Sequence, residues 1–202
     1  MLSSRLIRVG GLAAVVSGTL LVMADLLNVL MGTSDDTYTG TMPEQISSVL
    51  FLVGMVLLVL ALIGLYLHQA EAGGRFGLVA FLIALVGTTL MVSSDWSELF
   101  IAPILMQAAP TLVEAPPASL MVGFLLNFGF YTVGWLLFGI ASFRARVFPR
   151  AAAAMLAVGV LLPLITSIPW IFVVWNAAIV WMGLAVLRQK SHVSSVASAT
   201  AA

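Results

Sequence analysis

Long apolar runs alternate with short polar breaks along this chain. Five apolar blocks stand out, at roughly 9–31, 47–67, 76–97, 120–143 and 151–187. Each of the first four matches one membrane-spanning helix, which needs roughly 20 apolar residues. The fifth is long for one helix and short for two. Pro163 and Pro169 interrupt it around Thr166 and Ser167. Proline removes a helix donor and clashes with the preceding turn, so this block predicts two short helices with Ser167 in the turn between them. The pattern therefore predicts an all-α, polytopic membrane bundle of six transmembrane helices.

Composition supports the bilayer as solvent. The chain is 62% apolar and 8% charged, against about 45–50% and about 25% in soluble domains. So few charges cannot cover a water-facing surface, which excludes a soluble globular fold. The formal net charge is zero, so nothing draws the chain to nucleic acid. Cys is absent, which removes disulfides, thiolate chemistry and Cys-bound metals. The expected division is a six-helix transmembrane domain over 1–190 and a flexible cytoplasmic tail over 191–202.

Charge placement orients the spans. Arg5 and Arg8 precede span 1, and Arg75 separates spans 2 and 3. Arg144, Arg146 and Arg150 separate spans 4 and 5, and Arg188 and Lys190 follow span 6. Six spans put every basic residue on one side. Basic residues favour the cytoplasmic side, so both termini are expected there. Asp35, Asp36, Glu44, Asp95, Glu98 and Glu114 fall on or near the other side, and Glu71 is the exception. A signal peptide would need a cleavage site and a shorter apolar run, so span 1 is read as retained.

Spans 1 and 3 share a pattern. Span 1 carries Arg8, Gly10, Gly18-Thr19-Leu20 and Asp25; span 3 carries Arg75, Gly77, Gly87-Thr88-Thr89-Leu90 and Asp95. Spans 2, 4 and 6 end on Gly64-Leu65, Gly139-Ile140 and Gly183-Leu184. Three helical hairpins from one ancestral unit are expected, the third without the acidic residue. Small residues recur at Gly10, Ala14 and Gly18, and at Ala80, Ala84 and Thr88. Such faces let helix backbones approach closely in lipid, and ordinary bundle packing accounts for them.

The stretch from Gly64 through His68 to Arg75, with Gly134-Trp135 to Gly139 and Arg144 to Pro149-Arg150, resembles a group of small multi-pass bacterial membrane proteins. The resemblance implies a bacterial inner-membrane location. It implies no activity and transfers no functional residue.

Ionisable groups inside a membrane are costly and mark candidate sites. Asp25 lies 17 residues past Arg8, roughly 25 Å along a helix, which places it in the outer leaflet. Asn28 shares its face. Asp95 stands near the outer boundary among Ser93, Ser94, Trp96 and Glu98. Asn127 and Tyr131 lie one turn apart in span 4, and Asn176 lies in span 6. The candidate ligand-binding set is therefore Asp25, Asn28, Asp95, Asn127, Tyr131 and Asn176, as one polar layer in the outer half. The alternative is that these groups satisfy one another and fix helix register, with Asp95 and Glu98 as interfacial charges. No basic side chain inside the bundle is available to Asp25.

Residues 97–119 are too apolar for a solvated loop and too proline-rich for a span. They predict a short interfacial helix over the outer mouth, partly covering the pocket with residues 99–109. Trp96, Trp170 and Trp175 fall at outer-interface depth, whereas Trp135 and Trp181 lie deeper and read as packing or lipid contacts. His68 and His192 stand apart, so no metal or haem site is expected, and no cofactor is. No lysine lies in a span, and phosphate-loop, HExxH and GxSxG patterns are missing.

Three functions follow in order. The first is binding or transport of a small or lipid-like molecule in an outward-facing polar pocket. The second is a structural or assembly subunit of a membrane complex. The third is a membrane-embedded enzyme using Asp25 and Asp95.

Overall fold

The computed structural model describes residues 2–31, 41–165 and 171–199. These residues form α1 (Leu2–Met31), α2 (Met42–Phe100), α3 (Ala102–Ala108), α4 (Pro110–Glu114), α5 (Ala118–Ala145), α6 (Arg150–Gly159), α7 (Leu162–Ile165) and α8 (Phe172–Ala199). No strand occurs among them. Three helices, α1, α2 and α5, are long and apolar enough to cross a membrane. The apolar part of α8 and the whole of α6 are shorter. The expected turn at Thr166 and Ser167 lies outside the described residues, as do Asp35, Asp36, Pro169 and Trp170.

Helix α2 has 59 residues and would reach roughly 90 Å if straight. It is broken at Gly74, where φ is 54° and ψ is −151°. A positive φ strains any residue with a Cβ, so glycine suits the bend. Tyr66 stacks on Phe81 with ring centroids 4.2 Å apart. A straight helix would hold those residues roughly 22 Å apart. The two arms of α2 therefore fold back on each other. At the start of the first arm, the Thr41 N–H donates to Glu44 Oε2 at 3.1 Å, which satisfies one of the free donors of a helix N-terminus.

Small residues decide how the other helices meet. Gly10 of α1 lies directly on Gly64 of the first arm. Along the same antiparallel seam, Ser17 Oγ donates to the Gly54 carbonyl at 2.7 Å and Ser47 Oγ to the Ala24 carbonyl at 3.3 Å. The opposite side of α1 seats α8, with Gly11 against Val186 and Gly18 against Val180 and the Asn176 carbonyl. The second arm of α2 packs on α5 through Gly134 against Ala84 and Gly87 against Tyr131. Gly139 then meets Ala157 of α6, and Gly159 meets Trp175 of α8. Followed around, these contacts close a ring. Ala14, Ala80, Ala84 and Thr88 are fully buried in it, so the small-residue stripes serve packing within the chain.

Leu58, Leu62, Leu65, Trp135, Phe138, Leu156, Ile179 and Met182 fill the interior. Large apolar side chains also cover the outside, including Leu12, Val53, Val79, Phe143, Val158 and Trp181. Such a surface suits lipid and not water. The antiparallel registers gather Arg8, Arg75, Arg144, Arg150 and Arg188 at one end, the basic end. Asp25, Glu44, Asp95 and Glu98 lie toward the other, the acidic end.

The structure departs from the sequence pattern in three places. Helix α6 stops at Gly159, and a turn at Val160–Leu161 precedes α7. Gly159 is four residues before Pro163, the position whose carbonyl a proline ring crowds. Residues 97–119 hold two short helices and not one, because Ala109 (φ −150°, ψ 63°) breaks the backbone before Pro110. No residue of α3 is buried, and its contacts are with its chain neighbours α2 and α4. Helix α8 continues to Ala199, through the stretch read as a tail.

Candidate functional site

Asp25 points into the bundle and is 5% exposed. Its Oδ2 accepts a hydrogen bond from Asn176 Nδ2 at 2.8 Å. The local reason is Gly18, two turns nearer the basic end on α1. Without a side chain there, the α8 backbone comes close enough at Asn176 and Val180 for the amide to reach the carboxylate. Asn28, one turn past Asp25, is half-buried.

On the other side of the ring, Asn127 Nδ2 donates to Ser94 Oγ. Asp95 follows Ser94 in sequence, is half-buried and feels the charge of Glu98. Tyr131, one turn from Asn127 on α5, joins the two halves. Its ring lies 5.6 Å from that of Trp175, and the residue is within electrostatic range of both Asp25 and Asp95. The structure thus brings Asp25, Asp95, Asn127, Tyr131 and Asn176 into one layer, with Asn28 at its margin.

Hydrogen bonding in this layer is incomplete among the described residues. Asp95 Oδ2, Asn127 Oδ1 and Asn176 Oδ1 are buried with no hydrogen-bond partner among the described residues. These three are acceptors, the indole N–H of Trp175 is a buried donor likewise unpaired among the described residues, and buried polar groups are costly to leave unpaired. Among the described residues the arginines stand at the far end, so no arginine offsets the carboxylates. Such a layer can hold a molecule that brings donors and positive charge. Among the described residues no three His, Asp or Glu side chains gather as metal ligands.

Several interior groups escaped the sequence reading. Trp175 was expected at the outer interface, yet it is 3% exposed. Its ring meets that of Trp135 nearly at right angles, with centroids 5.0 Å apart. The signal was its neighbour: a short helix end that turns Asn176 inward carries Trp175 with it. Trp135 Nε1–H donates to Thr88 Oγ1 at 3.0 Å, and that hydroxyl donates to the Ala84 carbonyl at 2.7 Å. Trp181, by contrast, is exposed at the surface. Glu44, Ser47 and Ser48 are buried toward the acidic end, and Gln69 and Ser142 toward the basic end. No family model, curated protein or solved structure matches this chain, so its functional reading rests on these residues.

Proposed function

We propose that this chain is a six-span integral protein of the bacterial inner membrane that binds or transports a small or lipid-like molecule. The pocket faces outward, and both termini are cytoplasmic. The bend at Gly74 supports the count, because it turns one 59-residue helix into two arms. With α1, α5, α6–α7 and α8 these make six segments, paired as three hairpins. The basic end supports the orientation.

The observation that carries the functional reading is the layer around Asp25. It combines two carboxylates, three unpaired acceptor oxygens against one unpaired indole donor, and no basic side chain among the described residues. The favoured ligand therefore carries hydrogen-bond donors and a positive charge, as an amine or an amine-bearing lipid does. Tyr131, within electrostatic range of both carboxyl groups and packed on Trp175, adds an aromatic face of the kind that attracts cations.

One observation favours the scaffold reading instead. The Asp25–Asn176 bond ties α1 to α8 and would fix helix register without any ligand. Native mass spectrometry after mild detergent extraction separates the two. Wild-type protein is expected to retain an amine-bearing molecule that Asp25→Asn loses, at unchanged melting temperature. Identical spectra from both proteins would leave the scaffold reading standing.

A further inference from the structure

The buried face of α5 does not end at the outer layer. Asn127, Tyr131, Trp135, Phe138 and Ser142 succeed one another at steps of three or four residues, and all five are buried. They form one stripe along the helix. Asn127 and Ser142 stand at its two ends, roughly 22 Å apart. Three aromatic side chains lie between them.

At the basic end of this stripe sits a second group of unsatisfied polar atoms. Gln69 is 1% exposed, and neither its Nε2 nor its Oε1 has a hydrogen-bond partner among the described residues. Ser142 is fully buried, and its Oγ has none either. Gln69 follows Tyr66 by three residues and Gly77 precedes Phe81 by four. The Tyr66–Phe81 stack therefore sets Gln69 and Gly77 on the facing sides of the two arms, one turn nearer the bend. The register that lays Gly134 on Ala84 brings Ser142 level with Gly77 two turns further on. Gly77 is itself buried, yet a Cβ built there would meet no atom within 4 Å. Elsewhere in the bundle the buried glycines press on neighbouring backbone or side chains. Unpaired polar groups and unfilled room therefore coincide in one place.

The geometry points to a second station for the same donor-bearing solute, formed by Gln69 and Ser142 beside Gly77 and separated from the outer layer by Trp135 and Phe138. This rests on the reading of the outer layer as a solute site. Gln69 Oε1 and Ser142 Oγ supply acceptors, as the outer amides do. The Gln69 Nε2 group adds a donor, so this station holds the solute without a carboxylate and less tightly. Two stations of unequal strength, with aromatic rings between them, describe a path through the protein. A single binding pocket would need only the outer one.

The chain has no cysteine, so single-cysteine variants report one position each. In mild detergent, Ser142→Cys is expected to react with methanethiosulfonate-ethylammonium about tenfold faster than Ala61→Cys, a fully packed control, because modification follows access. Adding Gly77→Leu should abolish the difference by filling the gap. Gly77→Ala, whose Cβ has room, should reduce it and serves if the leucine variant does not fold. Ethylammonium at high concentration should slow the Ser142→Cys reaction about threefold by mass action, and urea should not. A Ser142→Cys variant as inert as Ala61→Cys, or one indifferent to Gly77→Leu, overturns the station. Reactivity that ethylammonium leaves unchanged shows a hydrated gap only, which also overturns it. Failure of the outer site appears separately, as Asp25→Asn retaining its co-purified molecule.

Discussion

Gly10→Ala tests how closely the helices approach. A Cβ added at Gly10 would fall inside contact distance of the Gly64 Cα, 2.9 Å from its backbone nitrogen and 3.2 Å from the Leu60 carbonyl oxygen. All three are main-chain atoms, so no side chain can rotate away, and α1 must move off α2. Overpacking of this kind costs about 1–3 kcal/mol. Alanine recovers about 0.8–1 kcal/mol over glycine in a helix. The net loss is therefore about 0–2 kcal/mol, up to a factor of roughly 30 in the folding equilibrium, and a control that takes the alanine gain without the clash stands about 1–3 kcal/mol above it. Gly123→Ala is the matched control, because its Cβ meets nothing within 4 Å. That variant should be neutral or more stable. Reversible unfolding in dodecyl maltoside titrated with dodecyl sulfate, followed by circular dichroism, reads the difference. Gly64→Ala should repeat the Gly10→Ala loss, since the clash is reciprocal. Equal midpoints for Gly10→Ala and Gly123→Ala would refute backbone-to-backbone packing of α1 on α2.

Trp135→Phe removes the Nε1–H donor to Thr88 but leaves the Thr88 bond to Ala84. The same titration should show a loss of about 1 kcal/mol, and no loss would place that indole outside the core. Asp25→Leu strands the Asn176 amide and should cost about 1–3 kcal/mol, whereas Asp25→Asn should stay near wild type because an amide oxygen still accepts. Single cysteines test orientation: Thr37→Cys and Ala115→Cys should react with an impermeant maleimide added outside cells, and Ala72→Cys and Ala145→Cys should not. External labelling at Ala145 would overturn the six-span arrangement.

The long apolar blocks made the helices legible, and Asp25 and Asn176 were legible because a buried carboxylate needs a partner that only a few polar residues can supply. Other features were hidden for definite reasons. The break at Gly159 comes from Pro163, but its position depends on which carbonyl the ring crowds, and the apolar pattern runs through it unchanged. Trp175 looked interfacial because its place near the outer end of span 6 gives height without direction. Which way it points depends on α6, where Gly159 leaves room for its backbone and Cβ. Gln69 and Ser142 were missed for a different reason. A glutamine just before Glu71 and a serine just before Arg144 read as helix-end polarity, and only the fold of α2 about Gly74 encloses them.

The likeness between spans 1 and 3 gains a physical meaning from these contacts. In α1, Gly18 admits the backbone of α8, and seven residues further on Asp25 receives the amide of Asn176 from that same helix. In the second arm of α2, Gly87 admits the backbone of α5 at Tyr131. Seven residues further on, Ser94 receives the amide of Asn127 from that helix, with Asp95 beside it. Two turns of helix separate the glycine from the polar group in both cases, so both lie on one face. The glycine sets the distance between helices at which a short asparagine can reach across. A larger residue at either glycine would push the asparagine amide out of reach of its acceptor, the Asp25 carboxylate in one case and the Ser94 hydroxyl in the other. In α6, Gly159 likewise admits α8, at Trp175, but the acidic partner of the other two units is missing. That unit brings an aromatic ring to the layer and no charge. The carboxyl groups of the two acidic units thus stand on α1 and on the second arm of α2, with Tyr131 within electrostatic range of both Asp25 and Asp95.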